Sequence, residues 1–214
     1  MTGPAVALAE AFDRTPIVAI IRCRARVELT DVLRVLVTAG IGCVEVTVPT
    51  PGSLESIEAA AQDHPGLLIG AGTVLTVDDV DRCARAGARF LVTPVVDTQV
   101  IRRAVAAGLP IVPGALTPTE IVTAYAAGAA AVKVFPAARL GPDYLRDLSG
   151  PLPQLPLVPA GGIGLDDVAP YLHAGAAAVG LGSPLIGDAL TGGRLSELAA
   201  RAGAFAAAAR GARR

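Results

Sequence analysis

Eight short runs of β-branched and other apolar residues recur along the 214-residue chain, and their regular spacing strongly constrains its fold. Their starts lie 20 to 26 residues apart, with a mean spacing of 23 residues. The runs occupy residues 16–22, 42–48, 67–73, 89–94, 109–114, 129–135, 155–160 and 177–183. Near-continuous apolar runs of this length are typical of strands in a parallel sheet that is covered on both faces. The sequence therefore predicts eight buried, parallel strands.

Helical patterns fill the intervals between these runs, and several of them end in Ala-Gly. A glycine just after the last turn supplies the left-handed residue that closes a helix. Eight strand–helix units predict a single α/β domain over residues 1–214, folded as a (β/α)8 barrel. A short N-terminal helix at about residues 4–13 would precede the barrel, and the Ala-rich residues 198–209 would form its last helix. A doubly wound open sheet is the alternative.

The composition excludes several classes of protein. Hydrophobic residues make up 52% of the chain and charged residues 17%, whereas disordered chains combine low hydrophobicity with high charge. The net charge of −1 argues against a nucleic-acid partner, which needs a basic surface. No apolar run approaches the roughly 18 residues of a membrane span, and the N-terminus lacks the basic start of a signal peptide. We therefore expect a cytoplasmic protein whose three cysteines (Cys23, Cys43 and Cys83) are buried and reduced.

The single lysine is the first candidate for chemistry. Of the 18 basic residues 17 are arginine, and the one lysine, Lys133, lies in the sixth run between Val132 and Val134. Because side chains alternate along a strand, Lys133 shares a face with Ala131 and Phe135. Inside a barrel, apolar surroundings would disfavour the charged ammonium and leave a neutral amine, which can form a Schiff base with a ketone. The alternative is a structural lysine that pairs with a carboxylate or extends out of the barrel.

Glu45 is the second candidate, since it lies on an alternating face of the second run together with Thr47. Charged side chains are rarely buried without a partner. An interior Glu45 would either form a structural ion pair with Lys133 or act as a general acid/base beside it. Aldol cleavage needs both an imine-forming amine and a proton-transfer group, so the pair predicts that chemistry.

Two glycine-containing segments follow the last two predicted strands. Gly161-Gly162 comes after the seventh run, and Gly182-Ser183 comes after the eighth. The loops at these strand ends of α/β barrels frequently bind phosphate through backbone N–H groups, and glycine lets the backbone approach the anion closely. Tight turns also need glycine, but the two segments together predict a phosphorylated ligand.

The order of these motifs resembles that of the pyruvate-forming class I aldolases that cleave 2-keto-3-deoxy-6-phosphogluconate and 4-hydroxy-2-oxoglutarate. The resemblance spans about residues 15–187 and rests on Glu45-Val-Thr47, Gly70-Ala-Gly72-Thr73-Val-Leu75, Thr93-Pro94, Pro113-Gly114, Thr117-Pro118-Thr-Glu120, Lys133-Val-Phe135-Pro136-Ala137, Gly161-Gly162-Ile163 and Gly182-Ser183. It implies a homotrimeric barrel without a cofactor, with Lys133 as the Schiff-base lysine and Glu45 as the acid/base. It also implies that the pyruvate end is lined by Thr73, Pro94 and Phe135, and that the phosphate is held by Gly161, Gly162, Gly182 and Ser183.

The sequence departs from the phosphogluconate-type pattern at two positions. Those relatives carry Arg where this chain has Pro49, and Thr where it has Ala160. Three segments look more like the relatives that act on the 6-phosphogalactonate epimer: Ile17-Val-Ala-Ile-Ile-Arg22, Gly141-Pro-Asp-Tyr144 and Gly180-Leu-Gly-Ser183. Since those relatives place an arginine at the end of strand one, Arg22 is the candidate anchor for the substrate carboxylate. Its alternative is a surface arginine.

The resemblance predicts a lyase that splits 2-keto-3-deoxy-6-phosphogluconate into pyruvate and glyceraldehyde 3-phosphate, as in Entner–Doudoroff carbohydrate metabolism. The unphosphorylated 4-hydroxy-2-oxoglutarate would be a further substrate. Three alternatives stay open: the phosphogalactonate epimer as substrate, a sugar-phosphate isomerase, and a non-catalytic binding protein on the same barrel. No metal site is predicted, because neither His64 nor His173 has a partner at ligand spacing.

Overall fold

The computed structural model describes residues 4–212, in which strands and helices alternate as predicted. The strands are β1 Ile17–Ile21, β2 Cys43–Thr47, β3 Leu68–Gly72, β4 Leu91–Val92, β5 Ile111–Val112, β6 Gly114–Ala115, β7 Val132–Val134, β8 Leu157–Pro159 and β9 Val179–Leu181. The helices are α1 Pro4–Arg14, α2 Thr30–Thr38, α3 Ser53–Asp63, α4 Val77–Arg85, α5 Thr98–Ala106, α6 Pro118–Ala126, α7 Gly141–Ser149, α8 Val168–His173, α9 Ser183–Ile186 and α10 Leu195–Gly211. The predicted first and last helices are confirmed as α1 and α10.

The strands are parallel throughout and form a ring. One sheet has the order β5-β4-β3-β2-β1-β9, and the other has the order β6-β7-β8. A parallel bridge between Ala160 and Gly180 joins β8 to β9. At the other junction, β5 and β6 are two halves of the fifth predicted strand, which Pro113 interrupts. The Pro113 carbonyl still accepts a hydrogen bond from the Lys133 N–H (2.8 Å), so the ring continues through the proline. The predicted (β/α)8 barrel is confirmed.

Helix α1 covers the N-terminal end of the barrel. Its Leu8, Ala11 and Phe12 side chains are buried in one cluster with interior residues of the strands and with Phe90, which precedes β4. The Phe90 ring takes the space beside Gly70, where a β-carbon would lie 2.4 Å from a ring carbon. This packing fills the interior at the N-terminal end of the barrel, so a binding site can form only at the C-terminal end.

Capping explains one of the motifs that carry the family resemblance. The hydroxyl of Thr117 accepts a hydrogen bond from the Glu120 N–H, while the Glu120 carboxylate accepts from the N–H groups of Leu116 and Thr117. This reciprocal arrangement is a capping box, and it starts α6. The hydrogen bonds lower the pKa of the Glu120 carboxyl, because they favour its charged form. The motif therefore serves the fold rather than the chemistry.

The cysteines differ in exposure. Cys43 and Cys83 are buried free thiols, as expected, and burial raises the pKa of Cys83 to about 12. The expectation was wrong for Cys23, which is only partly buried because it follows β1 at the open end of the barrel. Among residues 4–212, no helix is both long and apolar enough to cross a membrane.

Candidate active site

Lys133 and Glu45 meet inside the barrel. Lys133 lies in β7 and Glu45 in β2, and the Lys133 Nζ atom is 3.9 Å from the Glu45 Oε1 atom. The Lys133 side chain is 11% exposed and the Glu45 side chain 2% exposed. Both side chains project to the interior, as the alternation along their strands predicts. An amine and a carboxyl group are thus held together in a place with little water.

The surroundings of Glu45 favour its protonated form. Burial raises the pKa of the Glu45 carboxyl above its ordinary value, and the positive charges of Lys133 and Arg22 offset only part of this rise. Gly72 packs directly against the carboxyl group, since a β-carbon there would lie 2.7 Å from Oε1. The fixed position and the raised pKa suit a group that both accepts and releases a proton.

Arg22 and Thr73 lie together at the C-terminal ends of β1 and β3. The Arg22 Nη2 atom donates a hydrogen bond to the Thr73 hydroxyl at 3.3 Å. Thr73 has a φ of 58°, and no other non-glycine residue in the described range has a positive φ. Such a conformation in a β-branched residue costs on the order of 1–3 kcal/mol and is found mostly at functional sites. The strained turn directs a hydroxyl toward the guanidinium of Arg22.

A cavity of about 320 Å³ opens at this end of the barrel and reaches Lys133. Seven of the ten predicted site residues line it, namely Arg22, Lys133, Phe135, Gly161, Gly162, Gly182 and Ser183. Glu45 lies beneath the cavity, next to Lys133, and Thr73 is tied to its rim through Arg22. Pro94 does not line it; its carbonyl packs against Gly114, where a β-carbon would lie 2.5 Å away.

Two glycines shape the cavity wall beside Phe135. Gly161 and Gly162 have φ values of 94° and 79°, in the left-handed region that favours glycine. A β-carbon on Gly161 would lie 2.9 Å from the Phe135 ring, which itself sits with its centroid 5.2 Å from the Lys133 Nζ atom. The turn after β8 therefore sets the position of a ring that covers the amine.

Sequence reasoning missed several residues of the cavity wall. Leu190 and Thr191, in the loop between α9 and α10, line it together with Cys23, Ile186 and Gly187. No strand-like run directly precedes the loop at 190–191, and the adjacent pair Gly192-Gly193 is equally typical of a simple turn, so the sequence does not assign this loop to the cavity wall. Cys23 could have been found, because it directly follows Arg22 at a predicted strand end.

Comparisons with known proteins agree with this geometry. A family model described as "KDPG and KHG aldolase" matches residues 8–198. The chain is 38% identical over 174 residues to the 2-dehydro-3-deoxy-6-phosphogalactonate aldolase of Escherichia coli (strain K12), covering 80% of this chain and 85% of the relative. It superposes on a solved structure described as native KDPGal with a TM-score of 0.86 and 36% identity, covering 92% of this chain and 95% of the other. A KDPG aldolase from Legionella pneumophila, solved with pyruvate captured as a covalent carbinolamine intermediate, gives a TM-score of 0.83 at 30% identity, covering 96% and 98%.

Proposed function

Because the chain belongs to the KDPG and KHG aldolase family, we propose that it cleaves 2-keto-3-deoxy-6-phosphogluconate into pyruvate and glyceraldehyde 3-phosphate. The family, the barrel fold and the aldehyde-lyase class predicted from the sequence are confirmed. The observation that carries the proposed reaction is the buried pair of Lys133 Nζ and Glu45 Oε1, 3.9 Å apart below an open cavity.

The proposed reaction uses the pair in sequence. The Glu45 carboxylate takes a proton from the Lys133 ammonium, the freed amine attacks the C2 ketone, and Glu45 returns the proton to the departing hydroxyl, so that loss of water gives an iminium ion. The Glu45 carboxylate then takes the proton of the C4 hydroxyl, directly or through water, as the C3–C4 bond breaks and its electrons move to the iminium nitrogen. The aldehyde leaves, C3 of the enamine is protonated, and hydrolysis releases pyruvate and restores the amine. Each step uses an amine, a carboxyl group or water.

The cavity offers a binding group at each end of such a substrate. We assign the substrate carboxylate to Arg22. Phosphogluconate-type relatives carry an arginine where this chain has Pro49, and Arg22 would supply the positive charge in its place. We assign the phosphate to the backbone of Gly161, Gly162, Gly182 and Ser183 on the cavity wall. Thr73, Pro94 and Phe135 are proposed to line the pyruvate end, of which Phe135 lies on the cavity wall and Thr73 hydrogen-bonds to Arg22.

Substrate preference is tested by the initial rate of pyruvate release, followed with lactate dehydrogenase and NADH. We expect release from 2-keto-3-deoxy-6-phosphogluconate and, at a lower rate, from 4-hydroxy-2-oxoglutarate. The phosphogalactonate epimer is assayed in parallel, since Ala160 presents only a methyl group to the cavity where phosphogluconate-type relatives have Thr. A higher kcat/KM for the epimer would reassign the substrate. If none of the three acids releases pyruvate, a sugar-phosphate isomerase or a non-catalytic binding protein would be the better interpretation.

Replacing Arg22 by glutamine is expected to raise KM about 10- to 100-fold for all three acids, because a charged hydrogen bond contributes roughly 1.5–3 kcal/mol. The substitution should also shift the acid limb of the pH–rate profile to higher pH. In wild type the Arg22 charge lowers the pKa of Glu45, and the variant lacks that charge. Arg24→Gln is the matched control, because Arg24 is also exposed and does not line the cavity. An Arg22 variant with an unchanged KM would mean that the carboxylate binds elsewhere.

The resemblance also supports a homotrimer in the cytoplasm that serves an Entner–Doudoroff type of sugar-acid breakdown. Val105 on α5 and Val122 and Tyr125 on α6 are large apolar side chains left exposed on one chain, so this surface is a candidate for subunit contact. Light scattering on the purified protein measures the mass directly. A monomer at assay concentration would contradict the trimer and leave the proposed reaction intact.

A further inference from the structure

The segment from Gly182 to Gly187 forms one wall of the cavity, but it contains little secondary structure that is stable by itself. It contains α9, a helix of four residues, which is too short to be stable by itself. Gly182, Ser183, Pro184, Ile186 and Gly187 all line the cavity. Leu185 and Ile186 are buried and fix the segment to the barrel, but apolar packing alone does not fix the orientation of its backbone.

Arg201 supplies the missing polar contacts from outside the cavity. It lies on α10, and its Nε atom donates to the Leu185 carbonyl at 3.0 Å while its Nη2 atom donates to the Ile186 carbonyl at 2.9 Å. These are the last two residues of α9, whose carbonyls lie beyond the last intrahelical N–H. The Ile186 carbonyl also accepts a longer hydrogen bond from the Ala189 N–H at 3.3 Å. The side chain is 29% exposed, and its remaining ionic contact is with Asp188, 3.9 Å away.

Gly187 fits the same arrangement. Its φ is 58°, and a β-carbon at this position would lie 2.5 Å from the Arg201 Nη2 atom. A side chain at 187 would therefore displace the guanidinium from the two carbonyls. The glycine and the arginine belong to one structural unit, which ties the wall of the cavity to the long C-terminal helix.

We propose that Arg201 is a positioning residue for the phosphate end of the site. It does not line the cavity, but it orients the segment from Gly182 to Gly187, whose Gly182 and Ser183 would bind the phosphate. This inference rests on the proposed function, which places the phosphate at that wall. Loss of Arg201 then weakens the binding of phosphorylated substrates and spares the imine chemistry at Lys133, which lies two strands away in β7.

The test compares a substrate that carries a phosphate with one that carries none. In Arg201→Gln, we expect KM for 2-keto-3-deoxy-6-phosphogluconate to rise about tenfold, since two hydrogen bonds that hold the wall are lost. We expect kcat/KM for the unphosphorylated 4-hydroxy-2-oxoglutarate to stay within about twofold of wild type, because it makes no use of that wall. Arg194→Gln is the matched control, because Arg194 caps the start of the same helix; within residues 4–212 its 79% exposed side chain pairs only with Glu197.

A second readout does not depend on turnover. Binding of inorganic phosphate is followed by ³¹P line broadening in wild type, Arg201→Gln and Arg194→Gln, and only Arg201→Gln should show weaker binding. If Arg201→Gln fails to fold by circular dichroism, Arg201→Lys keeps the charge and the stem but cannot make both hydrogen bonds in the same geometry.

Each remaining outcome points to one conclusion. Equal losses for both substrates, or unchanged phosphate binding in a folded Arg201 variant, would overturn the positioning role while leaving the aldolase intact. If the wild type binds no phosphate but cleaves 4-hydroxy-2-oxoglutarate, both the positioning role of Arg201 and the assignment of the phosphate to this wall would be overturned. A wild type that binds phosphate but cleaves none of the acids would overturn the proposed function, and the phosphate titration would still decide the role of Arg201.

Discussion

Lys133→Arg is expected to lose covalent capture of pyruvate completely and to release pyruvate at least about 1,000-fold more slowly, as happens when a nucleophile is removed. Arginine keeps the positive charge next to Glu45 but cannot act as the amine, because its guanidinium stays protonated. Lys133→Met removes the charge as well and keeps the apolar stem. The measurement is intact mass after incubation with pyruvate and borohydride, followed by peptide mapping. With one lysine in the chain, only the N-terminal amine can compete for the label.

The control for this experiment is an additional lysine outside the site. Arg24→Lys places a new amine on an exposed side chain at the same end of the barrel, while leaving Lys133 in place. If burial beside Glu45 makes the amine reactive, the adduct stays on Lys133 in this variant. Labelling of position 24, or cleavage that survives in Lys133→Arg, would contradict the Schiff-base mechanism. The second result would mean that the cleavage does not pass through a lysine imine.

The positions of Lys133 and Glu45 were predictable because each lies in a run with a clear period. The 23-residue spacing fixes the barrel, and alternation along a strand places every second side chain inside. A charged residue among such interior positions is conspicuous against its apolar neighbours. Two charged residues on interior faces of one barrel can approach each other near its axis, and the distance of 3.9 Å between Lys133 Nζ and Glu45 Oε1 shows that these two do.

The rest of the site depends on contacts that a strand pattern does not encode. Thr73 adopts its left-handed φ of 58° against its own preference, so no local rule predicts it. Pro94 and Gly114 belong to motifs that carry the resemblance, but their contact is a close approach of backbones within the barrel wall. Arg201 lies 14 residues after Gly187, and neither residue has a signal of its own. Such contacts arise only when distant segments pack.

Glu45→Gln is expected to lower kcat about 10²- to 10⁴-fold, the usual contribution of a general acid/base, while Lys133 still forms an adduct with pyruvate. The amide keeps the shape that fits against Gly72 but can neither take nor return a proton. In wild type, the rate should fall at acidic pH as the carboxylate is protonated. Because burial raises the pKa of Glu45, this acid limb lies at higher pH than for an exposed glutamate, and it should disappear in Glu45→Gln.

The same substitution should stabilise the protein, and the gain should depend on pH. With a raised pKa in the folded state, Glu45 binds more protons when folded than when unfolded at any pH between the ordinary and the raised value. The free energy of unfolding of wild type therefore falls as pH rises through that window, whereas glutamine has no proton to lose. Urea unfolding of both proteins from about pH 5 to about pH 8 measures the difference, which should grow with pH and then level off. A variant that is less stable than wild type throughout would show that the carboxylate and Lys133 form a stabilising ion pair, and Glu45 would then be a structural residue.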